Sequence, residues 1–336
     1  MTSSKWIKKT SPFSIVEYAE GLKRNDRAIL AKAITLIESN HPNYVNQGQQ
    51  LLKEILPNTG NSLRIGITGV PGAGKSSFIE NLGTMLCNTG KKVAVLAIDP
   101  SSPLSSGSIL GDKTRMEKLS RHPNAFIRPS PTGGSLGGVH RKTREAILLC
   151  EAAGFEIIIV ETVGVGQSEV SISTMTDIVL LLAITGAGDD LQGIKKGILE
   201  IVDSIIVTKA DGENLQKALE TKSEYKQILR LLYPRTKGWK PQALACSSFT
   251  GYGIKEIWEL ILQFEKETKK SGVFLTRRQQ QTKDWLKSTI FEQLEYSFFQ
   301  NENVKSVWSE IEQGVIQGKL PVTQAANQLM KIYKNT

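Results

Sequence analysis

The segment Gly69-Val70-Pro71-Gly72-Ala73-Gly74-Lys75-Ser76 limits what this chain can fold into more than any other. It fits G-x-x-x-x-G-K-[ST], the pattern of a loop that wraps phosphate groups. The pattern carries weight only between a strand and a helix. Leu63-Arg64-Ile65-Gly66-Ile67-Thr68 before it reads as a buried strand, and Ser77-Phe78-Ile79-Glu80-Asn81-Leu82 after it opens an amphipathic helix. The glycines let backbone N–H groups turn toward phosphate oxygens, and the helix N-terminus adds partial positive charge. Lys75 is expected to reach the β- and γ-phosphates, and Ser76 to ligate Mg²⁺. The phosphate cradle then runs from Gly69 through Ser77. A glycine-rich turn matching by chance is the competing reading, and the strand–loop–helix context argues against it.

The rest of the chain fits around that loop. Up to Leu56 it reads as helical, with Asp26 capping a run that carries Ile29, Leu30, Ala33, Ile34 and Ile37 on one face, and a second helix over Tyr44 to Ile55. Pro57-Asn58-Thr59-Gly60-Asn61 breaks the pattern. From Leu63 to Phe264, β-rich runs alternate with helical ones. The predicted strands are Val93–Ile98, Glu156–Val160, Ile178–Ile184, Ser204–Thr208 and Gln242–Cys246. Ile157-Ile158-Ile159-Val160 is apolar on both faces, as in a parallel sheet covered by helices on both sides. The expected fold class is therefore α/β, with a mostly parallel sheet. Beyond Thr268-Lys269-Lys270-Ser271-Gly272 the chain is expected to be helical: Leu286, Ile290, Leu294 and Phe298 recur at helical spacing, as do Trp308, Ile311 and Val315. Three parts follow: a helical extension (1–60), a P-loop core (61–268) and a helical arm (269–336).

Charge and composition exclude some classes. The net charge is +9, but the lysines are dispersed, without a basic block or interleaved aromatics. That suits a solvated basic surface better than a nucleic-acid interface. No apolar run reaches transmembrane length, so no membrane role is expected. The basic start from Met1 to Thr10 has no long apolar stretch after it and is not a secretory signal. A cytoplasmic location is expected, ahead of a mitochondrial matrix one. Cys87, Cys150 and Cys246 lie far apart in apolar stretches and read as core residues rather than as a disulfide framework. His41, His122 and His140 have no ligand spacing with them, which gives a nickel or zinc role no support.

Base recognition is read from Ile205-Ile206-Val207-Thr208-Lys209-Ala210-Asp211, which ends a strand in T-K-x-D, close to the N-K-x-D of GTPases. An Asp carboxylate there accepts from both N1–H and the 2-amino group of guanine. Adenine presents neither donor and leaves the carboxylate unpaired. The Lys209 stem can lie along the base plane. Thr208 stands where Asn is usual. Ala245-Cys246-Ser247-Ser248 resembles the loop that supports guanine through backbone N–H groups.

Metal and hydrolysis candidates come from acids at strand ends. Glu161-Thr162-Val163-Gly164 resembles D-x-x-G with Glu for Asp. A carboxylate there can hold Mg²⁺ through water, and the Gly164 N–H can meet the γ-phosphate. Asp99 and Asp112 offer two further acids. Val165 stands where small GTPases carry a water-orienting Gln, and Gln167, two residues further on, is the candidate catalytic substitute for it. Slow intrinsic hydrolysis is expected. The segments Pro129–Gly138 and Gly186–Lys196 are glycine-rich and read as polar loops, either plain connections or nucleotide-sensing switches.

Together these motifs resemble the methylmalonyl-CoA mutase-associated GTPases, the MeaB/ArgK-like branch of the SIMIBI class of P-loop proteins. The resemblance rests on G-V-P-G-A-G-K-S-S, D-P-S-S, G-S-I-L-G-D-K-T-R-M, P-S-P-T-G-G-S-L-G-G, E-T-V-G-V-G-Q-S-E and G-A-G-D-D-L-Q-G-I-K-K-G-I, and it spans nearly the whole chain. It implies a GTP/GDP-binding, Mg²⁺-dependent chaperone of an adenosylcobalamin-dependent acyl-CoA mutase, with the helical arm mediating a homodimer. It implies acidic groups around Mg²⁺ at Asp99, Asp112 and Glu161, and a mutase-facing switch at Ala187–Lys196. The missing Gln at position 165, taken with that polar, glycine-rich loop, makes Lys195 a candidate catalytic cation. The chain departs from the family at Thr208 for Asn and at Thr185 for Pro. The alternative is a SIMIBI-class NTPase with another client, such as a metal-delivery or transport-associated one. Val70 argues against the partitioning-type ATPases, which carry a signature Lys at that position.

Overall fold

The computed structural model describes residues 13–39, 41–99, 116–131, 136–162, 171–185 and 196–335. Its β-rich runs all pair in parallel. The strands are β1 (Leu63–Gly69), β2 (Val93–Asp99), β3 (Ala125–Pro131), β4 (Ile157–Thr162), β5 (Ile178–Ala183), β6 (Ser204–Val207) and β7 (Gln242–Ala245). They form one seven-stranded sheet in the order β3-β2-β4-β1-β5-β6-β7. Parallel pairing forces crossovers, and the crossovers are helices that cover both faces. Every residue of β4 and β5 is buried, as the two-sided apolar runs require.

Alternation along the strands sorts the core into two layers. Leu96, Ile158, Val160, Leu181 and Val207 face α1 (Ile15–Lys23), α2 (Arg27–Glu38), α3 (Pro42–Ile55), α6 (Leu136–Ala152) and α8 (Leu215–Leu231). Ile65, Ile67, Val95, Ile159 and Leu180 face α4 (Lys75–Asn88), α5 (Glu117–Arg121) and α9 (Ile254–Lys270). A short helix, α7 (Lys196–Leu199), precedes β6. The N-terminal helices thus share the sheet's core. Asp26 caps α2 as predicted, accepting from Ala28 N at 2.8 Å and Ile29 N at 3.1 Å. Ser14 and Glu17 add a reciprocal capping box on α1.

The sequence reading missed β3 and took Pro129–Gly138 as one loop. Pro129 and Pro131 lie within β3, which pairs with β2 alone, at the edge of the sheet. Proline has no N–H to donate, and an edge strand has one side where none is needed. At the other end of that segment, Leu136 already opens α6.

The C-terminal helices are α10 (Val273–Gln300), α11 (Glu302–Ile316) and α12 (Val322–Lys334). The chain divides into two compact units, one ending at Gln279 and the other starting at Gln280. Within the first unit, the start of α10 is fixed to the amino ends of the strands. Arg278 pairs with Asp177 through both Nε and Nη2 at 2.7 Å, and Arg277 pairs with Asp203 at 3.5 Å. Both carboxylates are almost fully buried. Within the second unit, Phe299 packs on Trp308 and Phe298 on Tyr333, while Leu286, Ile290, Phe291 and Leu294 are exposed.

Candidate nucleotide-binding site

Each described motif lies at a carboxyl end of the sheet, where open α/β sheets bind their ligands. The P-loop leaves β1, the central strand around which the strand order reverses. Gly74 takes a left-handed φ of 78° at the N-cap of α4 and has no atom within 4 Å of where a Cβ would stand. The backbone is therefore unobstructed on its Cβ side. Lys75 is buried, and its Nζ donates to the carbonyls of Gly69 at 2.8 Å and Val70 at 3.1 Å. The ammonium is thereby held over the loop, rather than extended into solvent.

Ser76 lies in the first turn of α4 and donates from Oγ to Glu161 Oε1 at 3.2 Å. Glu161 is placed by β4, and its neighbour Thr162 donates to Thr68 Oγ1 on β1 at 3.1 Å, beneath the loop. Two oxygen donors of the predicted metal set, Ser76 and Glu161, are thus brought together. A hydroxyl beside a carboxylate is a hard oxygen pair, the chemistry that Mg²⁺ prefers. Asp99 ends β2, two residues beyond Ala97, whose register partner is Glu161. Asp112, Gly164, Val165, Gln167 and Lys195 lie outside the described residues, as does Ala187–Lys195.

The base side is built by β5, β6 and β7. Thr208, wholly buried, donates from Oγ1 to Ala73 O at 2.8 Å and to Ala183 O at 3.1 Å. Its hydroxyl therefore faces the P-loop and fastens it to the end of β6. Lys209 is exposed with a left-handed φ of 58°. Asp211 accepts a short hydrogen bond from Ser247 Oγ. That hydroxyl also accepts from Phe249 N and Thr250 N, each at 3.1 Å, so its proton is directed at the carboxylate. Ser248 is half-buried beside it. Ala210 N donates to Cys246 O at 3.0 Å and locks the two loops together.

Sequence reasoning marked Thr185 only as a departure from the family and missed Asn214. Thr185 Oγ1 donates to Asn214 Oδ1 at 2.8 Å, and Asn214 Nδ2 donates to Lys209 O at 2.6 Å. An Asn just before a helix reads from sequence as a cap, yet Asn214 makes no capping bond. Cys246 lies under the base loop with its thiol pushed up to about 12 by burial, and Cys87 is raised to about 11 for the same reason. All three cysteines are buried and unpaired, as core residues would be. Among the described residues no group of three or more His, Cys, Asp or Glu gathers as a metal site, and no helix is long and apolar enough to cross a membrane.

The sequence model of the methylmalonyl-CoA mutase-associated GTPase MeaB matches residues 30–303. The GTPase ArgK of Escherichia coli (strain K12) is 47% identical over 290 residues, covering 86% of this chain and 88% of that protein. The mitochondrial methylmalonic aciduria type A homolog of Mus musculus is 44% identical over 325 residues, 94% of this chain and 78% of that one. The crystal structure of a LAO/AO transport system kinase superposes with a TM-score of 0.76 at 38% identity, covering 95% of this chain and 97% of the other.

Proposed function

This chain belongs to the methylmalonyl-CoA mutase-associated GTPase family MeaB, and from that premise we propose that it acts as a G-protein chaperone of an adenosylcobalamin-dependent acyl-CoA mutase. It is a GTPase, splitting GTP into GDP and phosphate. In the proposed role, the nucleotide state gates loading of the mutase cofactor and protects the loaded mutase. The observation that carries the reading is the Thr208 bridge, which ties the P-loop to the segment carrying T-K-x-D and so supports a single nucleotide site.

The residues divide the work by chemistry. The Gly69–Ser77 backbone cradles the phosphates, and Lys75 neutralises charge that develops on the β- and γ-phosphates. Asp211, oriented by Ser247, accepts from the Watson–Crick edge of guanine, while the Lys209 stem covers the ring. Ser76 and Glu161 would hold Mg²⁺, which supplies charge neutralisation on the phosphates when bound.

Val165 replaces the usual water-orienting Gln, so hydrolysis by the chain alone is slow. The mutase accelerates it by bringing a cation toward the transferring phosphate, and Lys195 has that role. Such a cation supplies about three or more orders of magnitude in rate. The exposed Leu286, Ile290, Phe291 and Leu294 on α10 support a homodimer built through the arm. Phosphate release measured with and without an adenosylcobalamin-dependent mutase tests the reading. The expected result is slow turnover alone and faster turnover with the mutase. Fast basal turnover that the mutase leaves unchanged sinks it. Light scattering of the full chain tests the dimer, and a monomer overturns it.

A further inference from the structure

We infer that Thr185 and Asn214 are positioning residues for the guanine base, acting through the backbone of Lys209. The inference rests on the reading above that Lys209 and Asp211 receive the base. Lys209 has a φ of 58°, and Asn25 is the one other non-glycine described with a positive φ. For a lysine, which has no short polar side chain to stabilise that conformation locally, this is unfavourable, and it persists only where neighbours enforce it.

Asn214 is the enforcing neighbour. Its Nδ2 donates to Lys209 O at 2.6 Å, and its backbone N–H donates to Asp211 O at 3.0 Å. One residue therefore grips the carbonyls on either side of Ala210. Asn214 directly precedes α8, where an Asn side chain ordinarily accepts from helical N–H groups, yet it makes no such bond. Its amide is committed to the loop instead.

Thr185 fixes which way that amide faces. Its Oγ1 donates to Asn214 Oδ1 at 2.8 Å, so the oxygen points at Thr185 and the NH₂ at Lys209. Thr185 stands two residues beyond β5, and Asn214 follows β6. The bond thus braces the base loop against the neighbouring strand end. Ala183 braces the same loop one step earlier, by accepting from Thr208 N at 2.8 Å. Removing the Thr185 hydroxyl leaves the amide able to turn over, which releases Lys209 O and lets the Asp211 carboxylate drift from the guanine edge.

The test is calorimetric binding of GDP, inosine diphosphate and ADP to the full chain. Inosine lacks the 2-amino group that Asp211 reads. Thr185→Val should weaken GDP binding by about five-fold, the scale of one half-buried hydrogen bond. It should weaken inosine diphosphate less, so the ratio between the two falls. Thr185→Ser, which keeps the hydroxyl, should restore both. Asn214→Ala should exceed Thr185→Val in the same direction. A Thr185→Val protein that binds all three like the parent overturns the inference, as does an equal loss for all three, which would mark a general loss of fold. If the parent chain binds GDP no better than ADP, the underlying base reading fails instead, and the two failures are distinguishable.

Discussion

The hydroxyl of Thr208 donates to the carbonyl of Ala73 across 2.8 Å and fastens the end of β6 to the P-loop. The same proton is shared with Ala183 O at 3.1 Å. Thr208 and Ala73 are both buried, so these carbonyls lie away from water. The Asn-to-Thr departure from the family pattern therefore keeps a donor where the fold needs one. A hydroxyl on a β-branched side chain also suits the end of a strand.

Thr208→Val retains the shape and removes the proton. It leaves Ala73 O without its side-chain partner in a buried setting, a cost of about 1–3 kcal/mol. Part of that cost falls on nucleotide affinity, because the loop must be held in the shape that meets phosphates. The expected result in calorimetry is a GDP dissociation constant about five- to tenfold higher, with Thr208→Ser close to the parent. Unchanged GDP binding by Thr208→Val removes the bridge as a link between the two halves of the site.

Asp211→Asn tests base identity. The Ser247 proton is directed at the Asp211 carboxylate because two backbone N–H groups occupy the Ser247 oxygen. An amide in place of the carboxylate presents a donor to guanine's donors. GDP binding should fall by about two orders of magnitude, the scale of polar mismatches in such sites. Xanthosine diphosphate, whose 2-position carries an acceptor, should bind better than to the parent. Competition binding reads both, and a variant that keeps its preference for GDP overturns the role of Asp211.

What was legible in the sequence follows from the range of the interactions. The P-loop and its flanks were readable because the chemistry needs fixed spacing along the chain. The two-sided apolar runs were readable as parallel strands because burial on both faces leaves no alternation. β3 was not, since Pro129 and Pro131 read as breakers and only the edge position makes them tolerable. The Thr208–Ala73 bridge joins residues 135 apart, and Thr185 meets Asn214 across 29. No local pattern announces such pairs. The sequence did mark Thr185 and Thr208 as departures from the family, without showing what they touch.

Gly69 is predicted to be the least replaceable glycine of the loop. Its φ is 148°, and a Cβ there would stand 2.3 Å from the carbonyl oxygen of Leu182 on β5. Backbone cannot move aside as a flexible side chain would, so Gly69→Ala must push β1 from β5 at the end that carries the P-loop. Gly72→Ala meets nothing within 4 Å and bears only the strain of a φ of 80°, about 1–2 kcal/mol. Thermal unfolding followed by circular dichroism should therefore place Gly69→Ala well below Gly72→Ala. Equal melting temperatures contradict the close approach.

Glu151 is buried at the amino end of the sheet, accepting from Arg64 Nε at 2.9 Å, Arg64 Nη2 at 3.0 Å, Ser62 Oγ at 2.5 Å and Gly60 N at 2.8 Å. Burial by itself would raise its pKa. The Arg64 charge and these hydrogen bonds outweigh burial and hold the carboxyl below its ordinary 4.5. The folded chain therefore binds this proton less readily than the unfolded chain. The resulting stability is complete above the unfolded value and is lost as pH falls through the lowered folded value. Glu151→Gln turns an amide donor toward Arg64 and leaves a guanidinium without its counter-charge, costing about 3 kcal/mol at neutral pH. Glu17 and Glu156 are also lowered and titrate in both proteins, so they cancel in the comparison. The gap between the parent and Glu151→Gln, measured by denaturant unfolding, should be widest near neutral pH and narrow on acidification below the ordinary carboxylate value. A gap that stays constant across that window means the Glu151 carboxylate contributes nothing through its charge.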